Sequence, residues 1–285
     1  MRNLCLLVLL GLLSGCEPVQ LPADVRMPDG AVYDGDTEDN LFHGQGSLTW
    51  PDGRYYEGEF QQGLMTGEGR LEGRDGCVQE GHFVNGVLNG EGSYTCPDAS
   101  YQGQFTNGEL TKGSVAYLDD NSYQGEFRDF QPHGQGLWVT ASAEQFEGTF
   151  AEGYMVKGTY RNEEGYHYQG EFDFFTFEGK GELTRPDGVV IRATFENGHA
   201  EGPGTRTRPR DEGEPVVEKG FFVRGDYYPS EKAWRQRKQQ QAAAMEARLY
   251  TESSRLQSVL SSLAPQRPGV RDVYLLVVGG DGTEA

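Results

Sequence analysis

One short pattern recurs along most of this chain at nearly constant spacing. Its first glycines stand 23, 23, 22, 22, 23 and 22 residues apart. Spacing this regular predicts a repeat architecture, in which each unit buries its apolar face only by stacking on its neighbours. Ala193 takes the glycine position in an eighth copy, and "EKGFFVRG" (218–225) begins a ninth. The seven glycines are Gly35, Gly58, Gly81, Gly103, Gly125, Gly148 and Gly170.

Each unit has the alternation of a β-hairpin. Tyr56, Gly58 and Phe60 fall on one face of a strand, while Glu57 and Glu59 fall on the other. A second alternating run with two glycines follows, and "PDG" motifs supply turns between units. Glycine inside a strand leaves room for an aromatic ring to lie on bare backbone. The predicted repeat core consists of Tyr56, Gly58, Phe60, Tyr101, Gly103, Phe105, Tyr123, Gly125, Phe127, Tyr168, Gly170 and Phe172.

The pattern Y-x-G-x-F…G-x-G-x-(L/V) resembles the MORN repeat over residues 31–225. This resemblance implies a twisted antiparallel sheet and a role in membrane-proximal scaffolding, dimerisation or presentation of an attached domain. The expected fold is mainly β: an elongated antiparallel β-hairpin repeat array, followed by one long C-terminal α-helix and a short terminal strand.

Charge restricts the ligands of such an array. MORN arrays have been linked to phosphoinositides, but this chain carries a formal net charge of −19. Carboxylates on the outward face should repel anionic head groups and nucleic acid, so we expect neither as a partner. The outward acidic residues are Glu57, Glu59, Glu80, Glu126, Glu147 and Glu171.

The N-terminus has the organisation of a secretory signal peptide, predicted over residues 1–15. "LSGC", which ends at Cys16, resembles the lipobox of bacterial lipoproteins. The resemblance implies cleavage before Cys16, a diacylglycerol on its thiol and a lipid-anchored linker over residues 16–30. By resemblance to lipoproteins that follow the sorting rule of enteric bacteria, Glu17 after the cysteine implies the outer membrane, with the protein facing the periplasm. A plain signal peptide with an incidental cysteine is the alternative.

Two cysteines then remain for the mature protein. Cys5 leaves with the signal peptide and Cys16 is lipidated, so Cys77 and Cys96 form an even pair in an oxidising compartment. A hairpin turning near residues 86–89 places them nearly opposite one another. We expect a disulfide between them, with two free buried thiols as the alternative.

The array lacks recognisable catalytic or metal-binding motifs in its sequence. The five histidines have no metal-ligand spacing, and no G-x-S-x-G elbow occurs. We therefore predict no enzyme activity, no cofactor and no metal. The aromatic side of the sheet, which includes Trp50 and Trp138, is either simply the core or a surface for peptide or carbohydrate.

Residues 230–263 contain neither glycine nor proline and predict one amphipathic helix capped by Ser230. Lys and Arg outnumber Glu in this segment six to three. The helix is expected to pack on the sheet, self-associate or touch lipid, with the first two favoured. Glu252 is the one misfit in an a/d heptad formed by Ala242, Met245, Leu249, Leu256, Val259 and Leu263.

The tail, residues 264–285, ends with "VYLLVVGGDGTEA", an apolar strand pattern followed by glycines. The glycines lack the G-K-[ST] of a phosphate-binding loop. The segment resembles the first strand and loop of the legumain/caspase-like peptidases, whose catalytic His and Cys would lie downstream, so no catalytic role is transferred.

Three functions follow from these features. The first is a lipid-anchored, non-enzymatic scaffold for protein–protein contact at the bacterial cell envelope, with an unknown protein partner and self-association through the helix. The second is a truncated or split relative of a legumain/caspase-like cysteine peptidase that lacks its catalytic domain. The third is a lipid- or glycan-binding envelope module.

Overall fold

A computed structural model describes residues 25–262, which form a sheet and a helix. The sheet belongs to a compact unit that ends at Tyr227, and the helix belongs to a second unit that begins at Tyr228. The predicted signal peptide, Cys16 and the tail with its terminal strand lie outside the described residues.

Nineteen strands of the described region join one sheet. Each of the first seventeen pairs antiparallel with the next strand in the chain, and the eighteenth neighbours the nineteenth. We number the hairpins 1 to 9, from β2–β3 to β18–β19. The strands are β1 Val25–Arg26, β2 Val32–Glu38, β3 Leu41–Thr49, β4 Tyr55–Gln61, β5 Leu64–Glu72, β6 Val78–Val84, β7 Val87–Thr95, β8 Ala99–Thr106, β9 Glu109–Tyr117, β10 Ser122–Arg128, β11 Gln131–Val139, β12 Gln145–Ala151, β13 Tyr154–Arg161, β14 His167–Asp173, β15 Thr176–Thr184, β16 Val190–Glu196, β17 His199–Arg208, β18 Val216–Val223 and β19 Asp226–Tyr228.

Each of these nine hairpins closes through a two-residue turn in which both residues have positive φ. This is type I′ geometry, whose twist matches that of the flanking strands and which favours Asn-Gly. Hairpin 3 shows the common form, with Asn85 at φ 51° and Gly86 at φ 87°. Its turn therefore lies just before the position expected from the sequence.

Tyrosine rings lie on the backbone of paired glycines. In hairpin 2, Gly58 stands opposite Gly69, and the ring of Tyr56 is fully buried against both. The Tyr56 hydroxyl donates hydrogen bonds to the carbonyls of Glu59 at 3.1 Å and Thr66 at 3.3 Å. Glycine is thus required because a side chain would occupy the space of the ring. The same arrangement recurs at Tyr33, Tyr123 and Tyr168.

The alternation seen in the sequence separates a buried face from an exposed one. Phe60, Phe105, Phe127 and Phe172 are buried with the tyrosines, whereas Tyr101 is half-buried and packs against the core. The prediction of a mainly β hairpin array followed by one long helix is confirmed.

Helix α1 spans Glu231–Ser262. Its first turn is capped by Ser230, whose Oγ accepts the backbone N–H of Ala233 at 3.2 Å. Along the helix, Met245 is 65% exposed and Leu249 61% exposed, so part of the apolar seam faces solvent. Among the described residues, α1 included, no helix combines the length and apolar character needed to cross a bilayer.

Candidate functional site

The structure joins Cys77 and Cys96 in a disulfide, with their Cα atoms 4.2 Å apart. The two residues flank hairpin 3, one position beyond the paired residues Val78 and Thr95. The bond therefore closes the open end of that hairpin. This position favours a structural role, since both strands already end there.

Two histidines, on hairpins 1 and 3, lie beside carboxylates. His43 Nδ1 lies 3.2 Å from a carboxylate oxygen of Glu38, and His82 Nδ1 lies 3.5 Å from one of Glu68. A pocket of about 390 Å³ between these histidines is lined largely by polar groups. Within residues 25–262, no group of three or more His, Cys, Asp or Glu side chains is placed to hold a metal ion.

Two hairpin turns carry phenylalanine where most others carry glycine. The ring of Phe130, in the turn of hairpin 5, lies 5.3 Å from the ring of Tyr94, counted between centroids. The ring of Phe175, in the turn of hairpin 7, lies 5.3 Å from Trp138 and 5.1 Å from Phe146. Each turn ring thus extends over the aromatic side chains of earlier hairpins.

Phe175 and its neighbours form an open groove of about 570 Å³, which we call the aromatic groove. A volume of this size lies in the range of sites for drug-sized ligands. Apolar rings dominate its lining, and two of its polar residues, Thr140 and Glu144, come from the loop that joins hairpins 5 and 6. The aromatic residues of the groove are Trp138, Phe146, Tyr160, Phe175 and Phe177.

One carboxylate stands among these rings. The Tyr160 hydroxyl donates a hydrogen bond of 2.6 Å to Glu144 Oε1, and Ser142 Oγ donates one of 3.3 Å to Glu144 Oε2. Burial, together with the hydrogen bond to Glu144, raises the pKa of Tyr160 well above its ordinary value. In the described part of the chain, no Lys, Arg or His side chain lines the groove. Its character is therefore apolar with a single negative charge.

The rim of the groove carries exposed aromatic rings. Phe174 is 64% exposed, and its ring centroid lies 4.4 Å from that of Tyr154, which is 44% exposed. Phe174 and Phe175 have φ values of 45° and 63°. This left-handed region costs a non-glycine residue about 1–2 kcal/mol. Both turn residues of all nine hairpins share this left-handed φ, so the exposed ring of Phe174, and not its backbone, distinguishes this turn.

Sequence reasoning placed Trp138 on the aromatic side of the sheet but missed Phe174, Phe175 and Glu144. A comparison of the turn positions would have found the two phenylalanines. The other turns have Asn-Gly, Gln-Gly, Glu-Gly, Arg-Gly, Asp-Asn and Asp-Phe, and only hairpin 7 of the nine described has Phe-Phe. The sequence gives no comparable indication for Glu144, which lies in an irregular loop.

Comparisons with known proteins identify the repeat. The MORN repeat family matches residues 33–53, 56–78, 80–100, 123–142 and 168–190. The unmatched residues 101–122, 143–167 and 191–228 also contribute strands to the same sheet. No curated protein matches the sequence significantly.

Matches among solved structures include two domains bound to peptides. One is the wild-type TCP10 domain of Danio rerio CPAP in complex with a peptide of Danio rerio STIL. Its sequence identity to this chain is 11% and the TM-score is 0.33, and the match covers 70% of this chain and 82% of that one. The other is the SAS-4 (dCPAP) TCP domain of Drosophila melanogaster in complex with a proline-rich motif of Ana2 (dSTIL). Its sequence identity to this chain is 12% and the TM-score is 0.23, and the match covers 75% of this chain and 97% of that one. TM-scores this low do not establish a common fold, so the ligands of these domains are not transferred to this chain.

Proposed function

We propose that this chain, a MORN-repeat protein, is a lipid-anchored, non-enzymatic scaffold of the bacterial cell envelope that docks a protein partner in its aromatic groove. The observation that carries the proposal is the groove itself, with its exposed rim of Phe174 and Tyr154. Contiguous exposed aromatic surface marks interaction sites, and buried aromatic anchors supply most of the energy of protein interfaces.

The groove is also built on a rigid support. Its rings come from paired strands and from a two-residue turn, and Phe146 and Tyr160 are buried in the sheet. Little side-chain freedom therefore remains to be lost when a partner binds, which favours affinity. The lining holds no Cys, His or Lys of the described chain.

A site-specific cross-linker tests the docking role. Phe174 is replaced by the photo-reactive p-benzoylphenylalanine in the native host, and Leu118, which is 77% exposed in the loop after hairpin 4, is replaced as the matched control. We expect a discrete protein adduct from position 174 and none from position 118. Adding Trp138→Leu should weaken the adduct at position 174. Equal adducts at both positions, or an adduct indifferent to Trp138→Leu, would contradict docking in the groove.

The proposed anchor is Cys16, supported by the lipobox pattern that ends there. Several acyl chains hold a protein on a membrane firmly, whereas one chain gives only marginal binding. Globomycin treatment should therefore accumulate an uncleaved precursor, and Cys16→Ser should shift the protein out of the membrane fraction. Normal processing in globomycin would refute lipidation, whatever the outcome of the cross-linking.

We also propose that α1 mediates self-association through its apolar seam. Met245 and Leu249 are more than half exposed, and Val259 is 41% exposed, as expected of a seam that a second copy covers. Sedimentation of the purified protein should give a dimer that Leu249→Arg dissociates. Ala247→Arg adds the same charge on another face of the helix and should leave the dimer intact. A monomeric parent protein would contradict this role.

A further inference from the structure

We infer that the aromatic groove binds an extended peptide segment of the partner that places a lysine or arginine side chain beside Glu144. This inference rests on the proposed docking function and specifies the chemistry of the ligand. It depends on the walls of the groove, on the carboxylate in it and on the absence of any described lining cation.

The walls of the groove are the faces and edges of packed rings. The centroids of Phe146 and Tyr160 are 4.9 Å apart with planes inclined by 53°, and Trp138 meets Phe175 at 5.3 Å and 52°. Phe146 and Tyr160 are buried, whereas Trp138, Phe175 and Phe177 are only partly buried, so these three are the rings whose faces a ligand in the groove can contact. A cation within about 6 Å of such a face is attracted by the ring quadrupole, and Trp gives the strongest effect.

Glu144 supplies the second element of cation recognition. An ionised carboxylate offers about four acceptor positions. Two of these are used, by the Tyr160 hydroxyl and by the longer contact from Ser142. Tyr160 also holds the carboxylate in place, so the remaining acceptor positions are oriented before a ligand arrives. An ammonium or guanidinium group would then meet both a fixed negative charge and aromatic faces.

The charge of the protein strengthens this preference. With a net charge of −19, the chain attracts cationic segments over long range and repels acidic ones. Since no Lys, Arg or His of the described chain lines the groove, an entering cation meets no local repulsion. An acidic ligand would instead place like charge against Glu144 in an apolar setting.

The extent of the apolar surface favours a peptide over a small molecule. The groove is open to solvent and continues to the rim, where Tyr154 lies 6.3 Å from Phe175 and 4.4 Å from Phe174 between ring centroids. A small cation would leave these rim rings bare. An extended chain fills the groove with its basic side chain and covers the rim with its neighbouring residues.

The test uses the full-length protein and a fluorescein-labelled octapeptide library. The central residue of each pool is fixed as Lys, Arg, norleucine or Glu, and the other positions are random. Fluorescence polarisation should show the Lys and Arg pools binding about tenfold more tightly than the norleucine pool, and the Glu pool binding weakest. Norleucine keeps the length and apolar stem of lysine, so the difference measures the charge alone.

Two variants locate the effect in the groove. Glu144→Gln keeps the size of the side chain and an acceptor for Tyr160 but removes the charge, and Trp138→Leu keeps an apolar wall but removes the strongest π-face. Each should lower the preference for Lys over norleucine to about threefold or less, since each removes one of the two sources of attraction. Glu109→Gln, on an exposed position of hairpin 4, is the control and should retain the full preference. Circular dichroism checks that all variants are folded.

Each other outcome overturns the inference in a distinct way. Equal binding of the Lys and norleucine pools rejects the cationic ligand while leaving protein docking in place, because the cross-link from position 174 does not depend on charge. No binding by any pool rejects a peptide ligand, and the cross-linking then decides separately whether a folded partner surface docks there. Trp138-dependent binding to phosphatidylcholine vesicles, without binding to the peptide pools, would assign the cation to a lipid head group instead.

Discussion

Replacement of Gly69 by alanine tests the packing of tyrosine on glycine that underlies the whole sheet. A Cβ at this position would lie 2.7 Å from both Cε2 and Cζ of Tyr56, well inside van der Waals contact. The backbone of Gly69 is not left-handed, and the three atoms nearest to the added methyl group all belong to the Tyr56 ring and its hydroxyl. The experiment therefore isolates the steric requirement for glycine.

The expected loss of stability follows from the contacts that the Tyr56 ring loses when the added methyl group displaces it. The Tyr56 ring is fully buried, and moving it breaks its hydrogen bonds to the carbonyls of Glu59 and Thr66. Two such bonds contribute about 1 kcal/mol each, and overpacking of a core costs about 1–3 kcal/mol. Gly69→Ala should therefore lower the free energy of unfolding by about 3–5 kcal/mol.

Urea unfolding followed by circular dichroism measures this loss. The same substitution is then made in a Tyr56→Ala background, where no ring occupies the space and alanine should cost less than about 0.5 kcal/mol because the two residues no longer touch. The difference between the two backgrounds is the coupling energy of the pair. A cost below about 1 kcal/mol in the parent protein, or the same cost in both backgrounds, would refute this account of the repeat.

Three further predictions concern covalent and ionic contributions. Replacing both Cys77 and Cys96 by serine should lower the free energy of unfolding by about 3 kcal/mol, as expected for a closed loop of about 20 residues; no change upon urea unfolding would show that the bond does not form. The hydrogen bonds from Arg208 and Arg206 hold the pKa of Glu218 at about 2. Because the pKa of Glu218 is lower in the folded state, the stability that this carboxylate provides is present above the unfolded value of about 4.5 and is lost as the pH falls towards 2. Glu218→Gln should therefore flatten the pH dependence of urea unfolding between pH 4.5 and 2. An unchanged slope would contradict the pairing of Glu218 with Arg208 and Arg206. Burial raises the pKa of four tyrosines to about 12, so the protein should lose stability between pH 10 and 12. Ultraviolet absorbance should show these four forming phenolate only after the exposed tyrosines. A single titration of all tyrosines near pH 10 in the folded protein would contradict this prediction. The four tyrosines are Tyr56, Tyr117, Tyr123 and Tyr168.

Local patterns in the sequence were sufficient for the architecture. Alternation around Tyr56, Gly58 and Phe60 predicts which face of a strand is buried, because successive side chains of a strand point to opposite faces. The glycine-free segment after Ser230 predicts α1 for an equally local reason, since helix propensity and capping act within a few residues. Both features depend on neighbours in sequence, and both are found in the structure.

The candidate site depends on contacts that no local pattern encodes. Phe175 belongs to the turn of hairpin 7, yet its ring packs on Trp138 of hairpin 5 and Phe146 of hairpin 6. Glu144, which directly precedes β12, and Tyr160 of β13 lie 16 residues apart and meet because these two strands pair within hairpin 6. The repeat, the buried face and the helix can be predicted from the sequence, because the patterns that specify them lie within single strands, turns and helical segments. The groove cannot, because the pairing of the strands sets which hairpins a turn ring such as Phe175 can reach.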